Sequence, residues 1–448
     1  MPGESTLSRK KTTWKHFSHK GKKKVGLFAS LNAIVFSSWL NIFLVFLPLG
    51  WISHFLVFWS GTTTFTFCFL GIMPLQKLFE YGGDQMTCYL GEDFGDLLVI
   101  TLANVVEGTL AIILLVKNEL KLLQSTVIGV VILHLLLIPG VSFFVGGARL
   151  AHQELHPRFT QLNQTLLCIG VLTLVIPAAI FAALDRPVIA AIQIPTTPVV
   201  SDDTRHIFLV LSRIVAFILL VLYICSRVFL HTTPGGEDEE DKKERKTIQH
   251  HEEPKVNQYV CIVMLVLSIA LVAATMEWFV ESVDFLREGG GIQLEWFGLI
   301  LLPFLSFAAD GVITVYSFLV FLIRHIIKGP EPPAIQAQAR AIDLSIQFLL
   351  FWMPLFVLLA WCIGRPFIIL FDFFEIAILV CACFIVNYVI ADAKTNWAEG
   401  LAMVAFYIMI AAAAWFYPGE RSIQIMLAES SVEEALTAAA AAANSTAA

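Results

Sequence analysis

Two carboxylates sit where the sequence is otherwise apolar. Glu107 lies in LANVVEGTLAI, beginning at residue 102, and Asp310 lies in LSFAADGVITV, beginning at residue 305. The same pattern, small or apolar residues, then an acid, then glycine, recurs 203 residues apart as Glu107-Gly108 and Asp310-Gly311. A charged side chain at the centre of a bilayer costs at least about 2.5 kcal/mol on insertion scales. Two at matching positions exceed what helix packing alone requires. A buried carboxylate is relieved either by a proton or by a share of a cation. Two facing carboxylates would neutralise a hard divalent ion such as calcium, which takes about six to eight oxygen ligands. Competition between proton and cation for the same oxygens is the simplest physics of cation/proton antiport, so Glu107 and Asp310 form the candidate exchange pair.

Further oxygens follow by spacing. Asn104 is three residues before Glu107, on the same helical face, and Thr101 is one step further back. In the second half, Ser345 and Gln347 stand in AIDLSIQFLL. Each has a plainer reading as a polar residue bonding between packed helices.

The elements that would position these groups are membrane helices. The chain has 448 residues, of which 57% are hydrophobic and 15% charged, with mean hydropathy +0.77. Ordinary soluble domains carry about 25% charged residues. About 20 apolar residues span the hydrocarbon core. Eleven such runs are expected, near 30–50, 54–76, 96–116, 126–148, 162–183, 206–229, 259–280, 296–323, 345–363, 372–391 and 398–416. The fold class is therefore an all-α polytopic membrane protein, because an open sheet would leave backbone groups unpaired in lipid. A soluble enzyme is excluded, no enzyme activity or cofactor is expected, and no GxxxxGK[ST] phosphate loop occurs.

Eight basic residues, Arg9 to Lys24, precede the first span and place the N-terminus in the cytoplasm. Alternating sides along eleven spans then puts 20 of the 29 Lys and Arg on the cytoplasmic side, 7 on the far side and 2 in or at the end of the sixth span. The expected organisation is a basic tail (1–25), a first membrane half (26–230), a mixed-charge cytoplasmic linker (231–257), a second half (258–418) and an Ala-rich, poorly ordered far-side tail (419–448). Each acid-bearing span is followed by one with a central proline, Pro139 and Pro354. Five spans per repeat, an odd number, require opposite insertion. The result is a 1 + 5 + 5 plan with inverted repeats and a site at the midplane.

At these residues the chain resembles the calcium/proton exchanger family of the cation/calcium exchanger superfamily. GEDFGDLLVITLANVVEGTLAIILLVKNELKLLQSTVIGVV resembles the family's first signature helix and the segment after it. FDFFEIAILVCACFIVNYVIADAKTNWAEGLAMVAFYIMIAAAAWFYP resembles its last two helices. The resemblance covers nearly all of residues 25–418. It implies eleven helices with an acidic linker after the sixth, a vacuolar or other acidic-organelle membrane, and Ca2+ and H+ as transported ions. It also marks Glu277, in MEWFVES, as an acidic position of the family.

The departures fall on the ligand set. Ala103 replaces the first signature's initial glycine. In the second, which usually reads Gly-Asn-Ala-Ala-Glu-His, the chain has Ser306, Phe307, Ala308, Ala309, Asp310 and Gly311. The usual Ser-Asn pair of the next helix reads Leu133-His134, and Asp343-Leu344 replaces a Gly-Ser before Ser345. His134 would add an imidazole, a better ligand for transition metals than for calcium, and Asp343 would add a carboxylate. The expected function is Ca2+/H+ antiport into an acidic organelle by alternating access. Two alternatives stand beside it: exchange of Mn2+ or a monovalent cation on the same scaffold, and a transport-inactive paralogue with a regulatory role. The expected partners are membrane lipids, the transported cation and protons, with no nucleic acid, and a homo-oligomer is left open.

Overall fold

The structure, a computed structural model, describes residues 25–56, 59–90, 92–147, 153–154, 157–184, 200–232, 254–290, 292–327, 339–391 and 394–446. Most of the basic N-terminal tail and of the mixed-charge linker lies outside these residues. Among them the chain is almost wholly helical; the one strand pair joins Gln153–Glu154 to Lys394–Thr395. Two compact units form, Met1–Leu110 with Ile224–Leu286, and Ala111–Tyr223 with Arg287–Ala448.

Among the described residues, seven helices are long and apolar enough to cross a membrane, or up to nine if two bent pairs each count as one span. The expected count of eleven is not confirmed among them. The run near 30–50 is broken into Leu27–Val35 and Trp39–Phe55, bent by 89°. The break falls at Ser37-Ser38, where the Ser38 hydroxyl accepts the Leu40 N–H and starts a new helix. The run near 372–391 becomes Phe373–Val389, only 17 residues. The run near 54–76 ends within Gly61–Leu90, whose second half carries Lys77, Glu80 and Asp84.

Three helices of the second unit contain a π-helical turn, at Leu133–Leu137, Phe297–Leu301 and Phe348–Trp352. Each turn ends two residues before a proline, Pro139, Pro303 and Pro354 respectively. Proline has no N–H to return to the carbonyl four residues back, and its ring crowds that carbonyl. Widening the preceding turn absorbs both defects without breaking the helix. Ile138–Gly147 packs closely on Trp397–Trp415 at Gly140, Gly147 and Gly400; a Cβ at Gly400 would collide with the Phe144 backbone nitrogen.

Within each unit, helix ends are tied together in groups. In the first, Asn257 bonds the Ser30 hydroxyl and the Val25 carbonyl, Lys255 N–H donates to Gln85, and the Tyr89 hydroxyl donates to the Val256 carbonyl. His54 and Glu281 meet at the opposite ends of their helices. In the second, the strand pair joins the connections after the expected fourth and tenth spans. Asn118, Arg205, Arg365 and the chain after Tyr417 meet at the other end.

The tail departs from expectation. Residues expected to be poorly ordered form helix Val432–Thr446, preceded by Arg421–Met426. Alanine has the best helix propensity, Glu433 and Glu434 favour the first turn, and Asp202 accepts the Val432 N–H. Arg205 binds the Ala428 and Ser430 carbonyls, and Ile423, Met426, Leu427 and Val432 are buried.

Candidate cation site

The first unit brings Thr101, Asn104 and Glu107 together at a helix break. Phe94–Ala103 and Val105–Val116 are bent by 53°. Asn104 sits between them, its N–H bonded to the Thr101 carbonyl at 3.2 Å and its own carbonyl accepting from Gly108 at 2.9 Å. Asparagine is among the preferred residues for starting a helix. The break places Glu107 in the first turn of Val105–Val116, where the exposed N–H groups favour a negative charge. Glu107 is 1% exposed and Asn104 fully buried, whereas Thr101 is half-buried and donates its hydroxyl to the Leu97 carbonyl. Glu277 belongs to the same unit but stands exposed on Gln258–Gly290.

In the second unit Asp310 lies half-buried in the unbroken helix Leu302–Ile327. The two acids thus share a sequence pattern but not a backbone, one at a break and one in continuous helix. His134 is 2% exposed, in the π-turn, with Nδ1 2.8 Å from the Val130 carbonyl, and Asp310 is near enough to interact with it electrostatically. The Ser345 hydroxyl lies 3.5 Å from the Val131 carbonyl and 3.3 Å from that of Ala341. Ser345 and Gln347 are buried and Asp343 is half-buried on Ala339–Gln347. The second unit thus gathers Asp310, His134 and Ser345 on neighbouring helices.

The two departures from the second signature are sterically linked. A Cβ on Gly311 would lie 2.6 Å from Phe307 Cε1. The Phe307 ring therefore folds along its own helix over the glycine, with Phe304 at 5.5 Å. A side chain at 311 and an aromatic ring at 307 in this rotamer exclude one another.

The profile of the sodium/calcium exchanger protein family matches residues 60–231 and 260–416. The chain belongs to that family. It is 29% identical to the vacuolar calcium ion transporter of Cryptococcus neoformans var. grubii, over 90% of this chain and 78% of the relative. It is 28% identical to the Ca(2+)/H(+) antiporter of Synechocystis sp., over 84% of this chain and 97% of the relative. Among solved structures, YfkE superposes with a TM-score of 0.63 at 20% identity, covering 84% of this chain and all of YfkE. That likeness gives this family member the exchanger fold.

One constellation was not read from the sequence. In the second unit, Glu295, Asp372 and Glu375 bring carboxylate oxygens within 4.8 Å of one another, all buried. The cation among them is Lys121: its Nζ lies 2.9 Å from Asp372 Oδ1, 3.4 Å from Glu295 Oε1 and 3.4 Å from Glu375 Oε1. Asp372 caps Phe373–Val389 in a capping box with Glu375. Gln124, one turn after Lys121, holds the approach to that cap through the Ile368 and Leu370 carbonyls. Each of the four charges stands at the end of an apolar run, where a charge is ordinary. Only the fold shows that they meet.

Proposed function

We propose that this chain is a secondary-active antiporter exchanging cytosolic Ca2+ for H+ across the membrane of a vacuole or another acidic organelle. The observation that carries the reading is Glu107, a carboxylate 1% exposed in the first turn of a broken apolar helix, beside the buried Asn104. The names of the relatives, a vacuolar calcium ion transporter and a Ca(2+)/H(+) antiporter, support it. Glu107 and Asp310 alternately hold protons and a share of the cation. Asn104, Thr101, Ser345 and Gln347 supply neutral oxygens, and Asp343 stands near the last two. The N-terminus is cytoplasmic and the segment after Tyr417 faces the organelle lumen. The proton gradient drives the cycle: luminal protons load the carboxylates, and cytosolic calcium displaces them on the other side.

His134 beside Asp310 favours a second reading, in which the same cycle carries Mn2+, because imidazole suits transition metals better than calcium. Flux through the purified chain in sealed vesicles, compared with Glu107→Gln and Asp310→Asn, tests both. Loss of cation-dependent proton movement in either variant is expected. Unchanged flux of every cation in both variants contradicts the assignment.

A further inference from the structure

The cluster around Lys121 contains more hydrogen-bond acceptors than its hydrogens can serve. Ser125 Oγ lies 2.5 Å from Glu295 Oε2 and 2.6 Å from Glu375 Oε1. Both are at the short end for O–H···O bonds, shorter than a shared, bifurcated hydrogen sustains. A serine hydroxyl has one hydrogen to donate and two lone pairs with which to accept. One of the two contacts therefore needs a hydrogen on the carboxyl group.

Asp372 is held by Lys121 at 2.9 Å, by the Glu420 N–H at 3.0 Å, by the Tyr417 hydroxyl at 3.4 Å and by its capping box. Glu375 accepts the Asp372 N–H at 3.2 Å and faces Lys121 with both oxygens, at 3.4 and 3.5 Å. The donors around Asp372 favour its ionised form. Glu295 has Lys121 at 3.4 Å from Oε1, and that oxygen has no hydrogen-bond donor among the described residues. Gly419, in positive φ, packs directly against it; a Cβ there would collide with Oε1. Glu295 is 1% exposed and has the fewest donors to support a charge.

We propose that Glu295 and Glu375, joined through Ser125, form a second proton-binding site, separate from the exchange pair, in which the two carboxylates hold one proton between them. Of the two hydrogens along Glu295 Oε2, Ser125 Oγ and Glu375 Oε1, one belongs to the serine and one to a carboxyl group. Formally the three carboxylates and one ammonium then carry −1 rather than −2. The site lies where the chain after Tyr417 closes on the helix ends, so its protonation is tied to how Gly419 and Glu420 seat there.

Infrared difference spectroscopy of the purified full chain at pH 7, wild type minus Glu295→Gln, tests this directly. The expected result is loss of a protonated carboxylic C=O band with no loss of carboxylate stretch. Loss of carboxylate stretch with the carboxylic region unchanged means that the pair holds no proton and overturns the proposal. Should Glu295→Gln fail to fold, Ser125→Ala gives the second reading. Removing the acceptor hydroxyl shifts a carboxylic band to higher frequency or abolishes it. A carboxylic region unchanged by Ser125→Ala is equally contrary.

Discussion

Lys121 is the sharpest place to perturb the fold. Its ammonium is buried among three carboxylate side chains at 2.9 to 3.4 Å. Two unit charges 4 Å apart attract by about 4 kcal/mol at an effective dielectric constant of ~20, but much of that attraction offsets the cost of taking each ion out of water. Lys121→Met separates the terms. The substitution keeps an unbranched side chain, one heavy atom shorter, so repacking costs less than about 1.5 kcal/mol. What remains is a set of buried carboxylates without their cation, a change that costs roughly 3–5 kcal/mol when a buried pair loses one partner. Denaturant titration in detergent, followed by the loss of folded, monodisperse protein, measures it. Adding Asp372→Asn should recover at least about 1 kcal/mol, because contacting charges couple by roughly 0.5–3 kcal/mol. A Lys121→Met loss within about 0.5 kcal/mol would refute the reasoning, since it would mean that the carboxylates do not depend on the ammonium.

Other outcomes rest on the same geometry. Glu429→Ala should cost under about 1 kcal/mol despite the Arg365 contact, because Glu429 is 68% exposed and surface pairs contribute little; chemical denaturation checks the contrast with Lys121. Gly400→Ala should destabilise by about 1–3 kcal/mol through overpacking against the Phe144 backbone, read from the same titration. Gly311→Ala should displace the Phe307 ring and alter cation preference in a flux competition assay while leaving expression intact. An unchanged preference would detach the ring from the site.

The helical membrane character was legible because lipid demands long apolar runs, and an acid in such a run, which has few explanations, marked the candidate pair. Local chemistry that competes with hydropathy was not legible. The bend at Ser37-Ser38 and the short helix after Asp372 are capping events inside apolar sequence. The Ala-rich tail looked unstructured by complexity, yet it carries strong helix propensity and finds anchors at Asp202 and Arg205. In the site, Asn104 and Glu107 could be read three residues apart, but the break at Asn104 could not, nor could the shelter Gly311 gives Phe307. The Lys121 cluster draws on positions up to 254 residues apart in sequence, and no spacing rule links them.

The exchange assignment is tested most directly by following calcium and protons together in vesicles that contain only the purified chain and an acidic interior. The account predicts calcium entry matched in time by proton exit, with both abolished by Asp310→Asn. Calcium entry that persists unchanged after the proton gradient is collapsed would contradict it.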